Sequence, residues 1–196
     1  IVIGETGHSG TIPMGERKDA GIGAFRILLY LNREITKRYS GDAVVTAGRL
    51  CLEPGSINCV PGKCSFTLDI RSGKKEILKE ITELVQTMRG MVQDMGMDMR
   101  VKELSSRDPV PMDSLLQKYF AKSCEMAEVS YMKMNSGAGH DSMVFAQRVP
   151  AGMLFLPNRG GVSHCPEEYI SGKDLEKGAE VLYGVIRMLD REERRI

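Results

Sequence analysis

The sequence lacks several features that would assign it to a class at once. It contains no tryptophan in 196 residues, and its formal net charge is only +1. No apolar run approaches the roughly 18 residues that a membrane-spanning helix needs. The near-zero charge, with acids and bases interspersed, gives no electrostatic basis for binding nucleic acid or an anionic membrane surface. We therefore expect a globular chain that binds neither nucleic acid nor membranes.

Cysteine is present, but not in a pattern that a structural site uses. The five cysteines form no CxxC pair, and their number is odd. This argues against a disulfide framework and against a zinc ribbon. The opening residues, IVIGETGHSG, have no basic segment of the kind that begins a signal peptide, so we expect a reducing cytoplasm. The chain also begins without Met, inside an apparent strand, and we expect its natural start to lie upstream.

The first half of the chain alternates strands and helices in a recognisable order. Residues 64–71 are apolar at every second position, which is typical of a half-buried strand. Apolar residues recur at helical spacing over 16–39 and 74–95. Further strands are predicted at 1–5, 43–52 and 97–104. The resulting order, β-α-β-β-α-β, predicts a ferredoxin-like antiparallel sheet with two helices on one face.

The second half follows a proline-containing linker at 106–111. We predict helices at 112–127, 140–147 and 174–193, the last with Ser171 as N-cap and Asp174 three residues on. Strands are predicted at 129–134 and 153–156, which suggests part of an α/β sheet. Two strands make a poor core on their own. We therefore expect the remaining strands of this domain to lie outside the chain.

Two of the three histidines flank the apolar run at 153–156. His140 lies in the turn GAGHD, and His164 lies in the loop RGGVSHCPEE. Loops at strand ends are where α/β proteins place their chemistry, and glycines let the backbone approach a ligand closely. Cys165 beside His164 suggests a Cys/His nucleophile only weakly, because no third group is present to orient the pair.

Four stretches together resemble the M20-type metallo-amidohydrolases, in particular the branch of N-carbamoyl-amino-acid hydrolases, β-ureidopropionases and allantoate amidohydrolases. They are GETGHSGTIPMGERKDA at 4–20, PGSINCVPG at 54–62 leading into FTLDIR at 66–71, SGAGHD at 136–141, and GGVSHCPEE at 160–168. Each alone is modestly specific. Their shared order across nearly the whole chain is strongly specific.

The resemblance implies an arrangement of two domains. Residues 1–108 would be a ferredoxin-like lid that mediates homodimerisation, and residues 109–196 would be the C-terminal portion of the catalytic domain. The N-terminal portion would precede Ile1 and would carry most ligands for two divalent metals, Zn²⁺ or Mn²⁺. The chain itself has no HxD or HExxH spacing, so we expect the isolated fragment to be inactive.

The resemblance also assigns roles to individual side chains. His164 would be a metal ligand, with Glu168 orienting its loop. His140, near the metal pocket, would be a catalytic residue that contacts substrate or stabilises the transition state. His8, Asn58 and Arg71 would reach a carboxylate-bearing substrate from the lid, in the dimer often from the neighbouring subunit, with His8 donating to the oxyanion of the tetrahedral intermediate. From the residues alone, His8, Asn58, Arg71, His140 and His164 are more simply interpreted as polar groups in loops, turns and at the ends of strands and helices.

The expected function is therefore the hydrolysis of a linear amide or ureido C–N bond in a small carboxylate such as an N-carbamoyl amino acid or allantoate. Two alternatives stay open at this point. One is an M20-type metallopeptidase that acts on peptide bonds. The other is a non-catalytic dimerisation and binding module, for which the lid offers a free edge strand.

Overall fold

A computed structural model describes residues 1–193, with side chains described up to Arg191. Contacts divide the chain into two compact units, Ile1–Pro109 and Val110–Ile196. Residues 100–113 form no helix or strand. No helix of the described chain is both long enough and apolar enough to cross a membrane.

The first unit contains all the β-structure of the described residues. Its short strands, in chain order, are β1 (Val2–Ile3), β2 (Gly7–His8), β3 (Ala43–Thr46), β4 (Leu50–Glu53), β5 (Cys59–Val60), β6 (Lys63–Phe66), β7 (Asp69–Ser72) and β8 (Asp98–Met99). A four-stranded antiparallel sheet has the order β4-β6-β1-β8, and β2-β5 and β3-β7 are two further antiparallel pairs.

The sheet order confirms the ferredoxin-like prediction. With β3–β4 as the second strand and β6–β7 as the third, the order β4-β6-β1-β8 becomes second, third, first, fourth. Each neighbouring pair is antiparallel. This is the arrangement that two split βαβ halves produce.

A β-bulge interrupts the long ladder formed by the second and third strands. Thr46 lies opposite Asp69 and Leu50 lies opposite Phe66, so three residues on one strand face two on the other. The Thr67 hydroxyl accepts a hydrogen bond from the Arg49 amide (3.1 Å), and the Thr67 amide donates to the Arg49 carbonyl (3.0 Å). The ladder therefore continues through the bulge from residue 43 to residue 53, with the extra residue accommodated locally.

Two helices of the first unit start or stop differently from the prediction. Helix α1 spans Ala20–Tyr39 rather than 16–39, because the Asp19 carboxylate accepts from the amides of Gly21 and Ile22 and caps the helix there. The second helix is divided at Met88 into α2 (Lys75–Thr87) and α3 (Arg89–Gln93). At this point the Met88 amide bonds the Val85 carbonyl, a tighter i−3 turn.

The core of this unit lies between α1 and the sheet. Its fully buried members include Val2, Ile27, Leu31, Cys64 and Met88. Phe66, Leu68 and Ile70 pack against the same cluster, which confirms the predicted alternation of the third strand. The fourth strand is shorter than predicted, because β8 pairs with only two residues of β1.

A close backbone approach at Gly4 joins the start of the chain to the segment that leads into α1. A side-chain carbon at Gly4 would lie 1.9 Å from the Lys18 carbonyl oxygen. The neighbouring Glu5 amide donates to that same carbonyl at 2.9 Å. Glycine is therefore required here to let the two segments touch.

The second unit is built around two packed helices, α4 (Ser114–Met126) and α6 (Gly172–Glu193), with the four-residue helix α5 (Ser142–Phe145) between them in sequence. Val181 of α6 packs with Cys124 and Ala127. Gly184 allows the helices to meet, since a side chain there would contact Ser123, whose hydroxyl donates to the Val181 carbonyl at 2.7 Å. The Ser171 hydroxyl accepts from the Asp174 amide at 3.1 Å, which confirms the predicted cap of α6.

The two predicted strands of this unit are wrong, and the helix predicted at 140–147 is shorter than expected. None of the described residues from 110 onward takes part in a β-ladder. Val129 and Leu154, one from each predicted strand, pack against the α4–α6 cluster. The apolar pattern therefore reports burial correctly, but a strand also needs a hydrogen-bonded neighbour.

Replacing Gly4 by alanine should destabilise the protein by about 1–3 kcal/mol, because the new methyl group collides with a main-chain oxygen that cannot rotate away. Chemical denaturation monitored by circular dichroism measures the free energy of unfolding. Gly15→Ala is the matched control, since a carbon at Gly15 meets nothing within 4 Å. Equal stability of the two variants would contradict this account of Gly4.

Candidate functional site

His8 and Asn58 are brought together by the ladder between β2 and β5. His8 lies opposite Cys59, and the Ser9 amide donates to the Asn58 carbonyl at 2.9 Å. The Cys59 thiol lies 3.8 Å from the Asn58 side-chain oxygen. Both His8 and Asn58 are exposed. The structure therefore presents an imidazole and a carboxamide to solvent from neighbouring backbone segments.

Arg71 forms an ion pair with Asp69 on the same strand. The Arg71 Nε lies 3.1 Å from each Asp69 carboxylate oxygen, and Nη2 lies 2.7 Å from Oδ2. The hydrogen bonds from Arg71 lower the pKa of the Asp69 carboxyl, and the same contact raises the pKa of Arg71. The pair keeps both groups charged and restrains the exposed guanidinium on the sheet surface.

Arg71 is not close to His8 and Asn58 within one chain. The ladder pairs Val44 with Arg71 near one end and Glu53 with Lys63 near the other. The β2-β5 pair, and with it His8 and Asn58, adjoins that second end. At roughly 3.3 Å per residue, the nine steps from residue 62 to residue 71 span about 30 Å. The three side chains that the resemblance grouped together are thus divided between opposite ends of one ladder.

His140 is oriented by two contacts in the second unit. Its Nε2 lies 2.7 Å from the Ser136 hydroxyl. Its ring packs edge-on against Phe155, with centroids 5.6 Å apart and an interplanar angle of 63°. The following Asp141 is the N-cap residue of α5, although its side chain makes no capping bond. His140 is therefore held by the turn that contains it and by the neighbouring apolar segment.

His164 occupies an unusual backbone conformation in an exposed loop. Its φ is +58°, a left-handed value that costs a non-glycine residue of the order of 1 kcal/mol or more. The loop is closed at its base by a hydrogen bond from the Arg159 amide to the Tyr169 carbonyl (2.9 Å). The Glu168 carboxylate accepts from the His164 amide at 3.0 Å. Glu168 thus orients this loop, as expected from the sequence.

The described residues do not by themselves form a metal site. No group of three His, Cys, Asp or Glu side chains within residues 1–191 is arranged to hold a metal ion. The Glu168 carboxylate is engaged with a backbone amide. Catalytic zinc sites use about three protein ligands, so the described residues do not supply a complete centre of this kind.

Three contributors to these sites were missed from the sequence. Arg17 supports the turn that follows His8, Asp69 pairs with Arg71, and Ser136 contacts His140. Asp69 lies two residues before Arg71 on the same strand face, and that spacing alone could have identified it. Arg17 and Ser136 act through loop geometry, for which the sequence carries no periodic signal.

Comparison with known proteins agrees with these features. The family model described as Peptidase family M20/M25/M40 matches residues 3–188. Allantoate amidohydrolase of Escherichia coli K12 is 36% identical over 180 residues, covering 91% of this chain and 44% of the relative. N-carbamoyl-L-amino-acid amidohydrolase of Paenarthrobacter aurescens is 37% identical over 191 residues, covering 97% of this chain and 46% of the relative.

A solved structure gives the same result for the fold. The amidase of the hydantoinase/carbamoylase family from Burkholderia phymatum superposes with a TM-score of 0.86 at 28% identity, covering 96% of this chain and 46% of that one. The chain thus spans a little under half the length of the relatives that it matches. Since the family model covers residues 3–188 and the fold agrees over nearly the whole chain, the protein belongs to peptidase family M20/M25/M40.

Proposed function

We propose that the native polypeptide carrying this sequence hydrolyses a non-peptide C–N bond in a small carboxylate of the N-carbamoyl amino acid or allantoate type. The relatives that match over more than nine-tenths of this chain bear those names. The structural observation that carries the proposal is the exposed set of His8, Asn58 and Arg71. An imidazole, a carboxamide and a guanidinium supply donors for a carbonyl oxygen and a carboxylate.

The division of these donors between two ends of the ladder suggests that two chains build each site. The strand that includes β3 and β4 is an edge of its sheet. If two copies paired along this edge about a two-fold axis near residue 48, residue 44 of one copy would lie beside residue 52 of the other. Arg71 of one copy would then approach His8 and Asn58 of its partner. A site shared in this way accounts for their separation within one chain.

An apolar surface beside the edge strand supports this dimer. Ile22, Phe25 and Leu29 are 44%, 43% and 73% exposed, and their spacing places them on one face of α1. Val44 on the edge strand is also exposed. We therefore assign residues 1–108 as a lid that dimerises through α1 and the edge strand.

The second unit fits the role of an incomplete catalytic domain. Helix α6 packs Val181 and Val185 inward, while Leu175, Leu182 and Ile186 on another face are about half exposed. The relatives are more than twice as long as the matched region. We infer that residues 109–196 belong to a larger domain, in which this second apolar face packs against further elements of the native polypeptide.

The metal chemistry of the family would then come from a site completed outside this chain. Divalent metals in such hydrolases polarise the scissile carbonyl and generate hydroxide near neutral pH. We assign to His164 one ligand bond to Zn²⁺ or Mn²⁺. The steps assigned to the remaining residues of this chain are binding and orientation: Arg71 holds the substrate carboxylate, while His8, Asn58 and His140 contact the reacting group.

A cytoplasmic location is consistent with the cysteines. All five are free thiols, and Cys64 and Cys124 are buried, which raises the pKa of each thiol. Buried thiols of this kind behave as small apolar core residues.

The native polypeptide should release product from allantoate or an N-carbamoyl-L-amino acid at least 100-fold more efficiently than from dipeptides. The reason is that donors placed for a ureido group and its carboxylate lose their partners on other substrates. Comparison of kcat/KM across the three substrate classes tests this. Preference for dipeptides would favour a metallopeptidase, and no turnover with metal supplied would favour a non-catalytic module.

Two inactive variants of the native polypeptide, His8→Ala and Arg71→Ala, should restore activity when co-expressed. If each site takes His8 from one chain and Arg71 from the other, half of the dimers are mixed and each carries one intact site. About a quarter of wild-type activity is then expected from random pairing. If both residues served the same site in one chain, the mixture would stay inactive.

A control for this mixing experiment uses a substitution that disrupts the proposed dimer interface. Leu29→Glu, introduced into both chains, should abolish the restored activity and give a monomer by light scattering, because a charge would be buried in the interface. Leu104→Glu alters a similarly exposed leucine away from α1 and should leave the restoration unchanged.

His164→Gly should remove about one metal ion per subunit from the native polypeptide while keeping the loop folded. Glycine adopts φ near +58° without steric strain, and this relief offsets the extra backbone entropy that glycine loses on folding. Thermal stability measured with the metal removed should therefore stay level or rise. Metal content by mass spectrometry and the melting temperature are the two readouts. His8→Ala is the control of the same residue type and should retain its metal. Full metal occupancy in His164→Gly would show that His164 is not a ligand.

A further inference from the structure

The His8 side chain takes part in a small turn of its own backbone. The His8 carbonyl accepts from the Thr11 amide at 3.2 Å, and the Thr11 hydroxyl lies 3.4 Å from it. Inside this turn the Gly10 amide donates to His8 Nδ1 at 3.0 Å. A side-chain carbon at Gly10 would sit 3.4 Å from Nδ1 and Cε1 of the ring, so glycine permits this close approach.

The Gly10 contact determines which ring nitrogen carries the proton. A backbone amide can only donate, so Nδ1 must offer a lone pair. The neutral imidazole therefore has its proton on Nε2. In a histidine ring, the hydrogen bond made by one nitrogen decides whether the other nitrogen carries the proton. His8 is thus prepared as a donor through Nε2–H.

Arg17 holds the turn that presents the Gly10 amide. Its Nε donates to the Ile12 carbonyl at 2.9 Å, and its Nη2 donates to the Ser9 carbonyl. The two carbonyls lie on either side of Gly10 and Thr11, and Arg17 itself is half-buried. A planar guanidinium can bridge two acceptors in a fixed geometry, whereas a lysine ammonium acts as a single point charge.

We propose that Arg17 is a positioning residue that fixes His8 in its Nε2–H tautomer through the Ser9–Ile12 turn. Arg17 acts on the site only through this turn. The assignment rests on the proposed function in one respect: the benefit of a fixed Nε2–H is that His8 donates to a carbonyl oxygen as negative charge develops on it.

The tautomer also constrains the substrate that His8 accepts. An Nε2–H donor requires an acceptor atom opposite it, such as the carbonyl oxygen of a ureido or amide group. Protonation of His8 would turn Nδ1 into a donor as well, and the Gly10 amide would lose its acceptor. The Gly10 hydrogen bond and the Nε2–H tautomer therefore belong together.

Nuclear magnetic resonance on the ¹⁵N-labelled 196-residue chain tests the proposal without requiring turnover. Long-range ¹H–¹⁵N spectra of the neutral wild-type protein should show the His8 proton on Nε2 alone. The Gly10 amide signal should shift as His8 is titrated. Arg17→Lys should give mixed His8 tautomers and lose the coupled Gly10 shift. Arg49→Lys, at an exposed arginine outside this loop, should behave as wild type.

Two results would overturn the proposal. A wild-type spectrum with the His8 proton on Nδ1 would do so whatever the variants show. A folded Arg17→Lys protein with unchanged His8 and Gly10 signals would do so as well, with folding judged from the Gly21 amide that caps onto Asp19. Because these spectra do not depend on catalysis, an inactive native polypeptide with the expected spectra would reject the proposed function and leave the role of Arg17 standing.

Discussion

The antiparallel ladder between residues 43–53 and 62–72 determines how the first unit can work. Its strands are held by regular pairing on both sides of a bulge, with Thr67 and Arg49 supplying hydrogen bonds through the irregular part. A paired ladder is stiff, so groups attached to its two ends keep their separation. His8 and Asn58 adjoin one end and Arg71 lies at the other. Any substrate small enough to be an N-carbamoyl amino acid cannot span that distance, which is why a second copy enters the proposed mechanism.

The turns beside the ladder convert generic polar residues into oriented donors. His8 is exposed, but the Gly10 amide donates to its Nδ1 and so leaves the ring proton on Nε2. Arg71 is restrained by Asp69 in a similar way. In both cases a side chain that the proposed function assigns to substrate binding is held by a neighbouring residue. Such support reduces the ordering that binding must impose on long or mobile side chains.

The second unit contains well-packed helices, but it also leaves apolar surface without a packing partner among the described residues. Helices α4 and α6 pack closely through Ser123 and Gly184, and the His164 loop has a defined shape. Yet the apolar segments around Val129 and Leu154 have no strand neighbours among the described residues, and α6 keeps a second apolar face exposed. A helix with apolar residues on two faces is typical of an element that packs between two layers. In the proposed function, the same setting would supply the metal ligands that the described residues lack.

Local patterns in the sequence were sufficient for much of the fold. Alternation at 64–71 identified a strand with Phe66, Leu68 and Ile70 inward, and the spacing at Ser171 and Asp174 identified the cap of α6. These two predictions are correct because strand alternation and helix capping both depend on residues that are close together in the sequence. The start of α1 was misjudged by four residues, because Asp19 caps the helix inside a longer amphipathic pattern. The strands at 129–134 and 153–156 were wrong because a ladder depends on a partner that local pattern does not specify.

The sequence by itself thus determined the order of elements, the apolar faces and the four stretches that mark the family. Only the tertiary structure decided where the site residues lie. It placed His8 beside Asn58 through the β2-β5 pair, put Arg71 at the far end of the ladder, and gave His164 a left-handed backbone supported by Glu168. The physical reason is that these relations are set by pairing register and loop closure between residues distant in sequence. Spacing along the chain reports residue type and local conformation, but it does not report which ends of two strands meet.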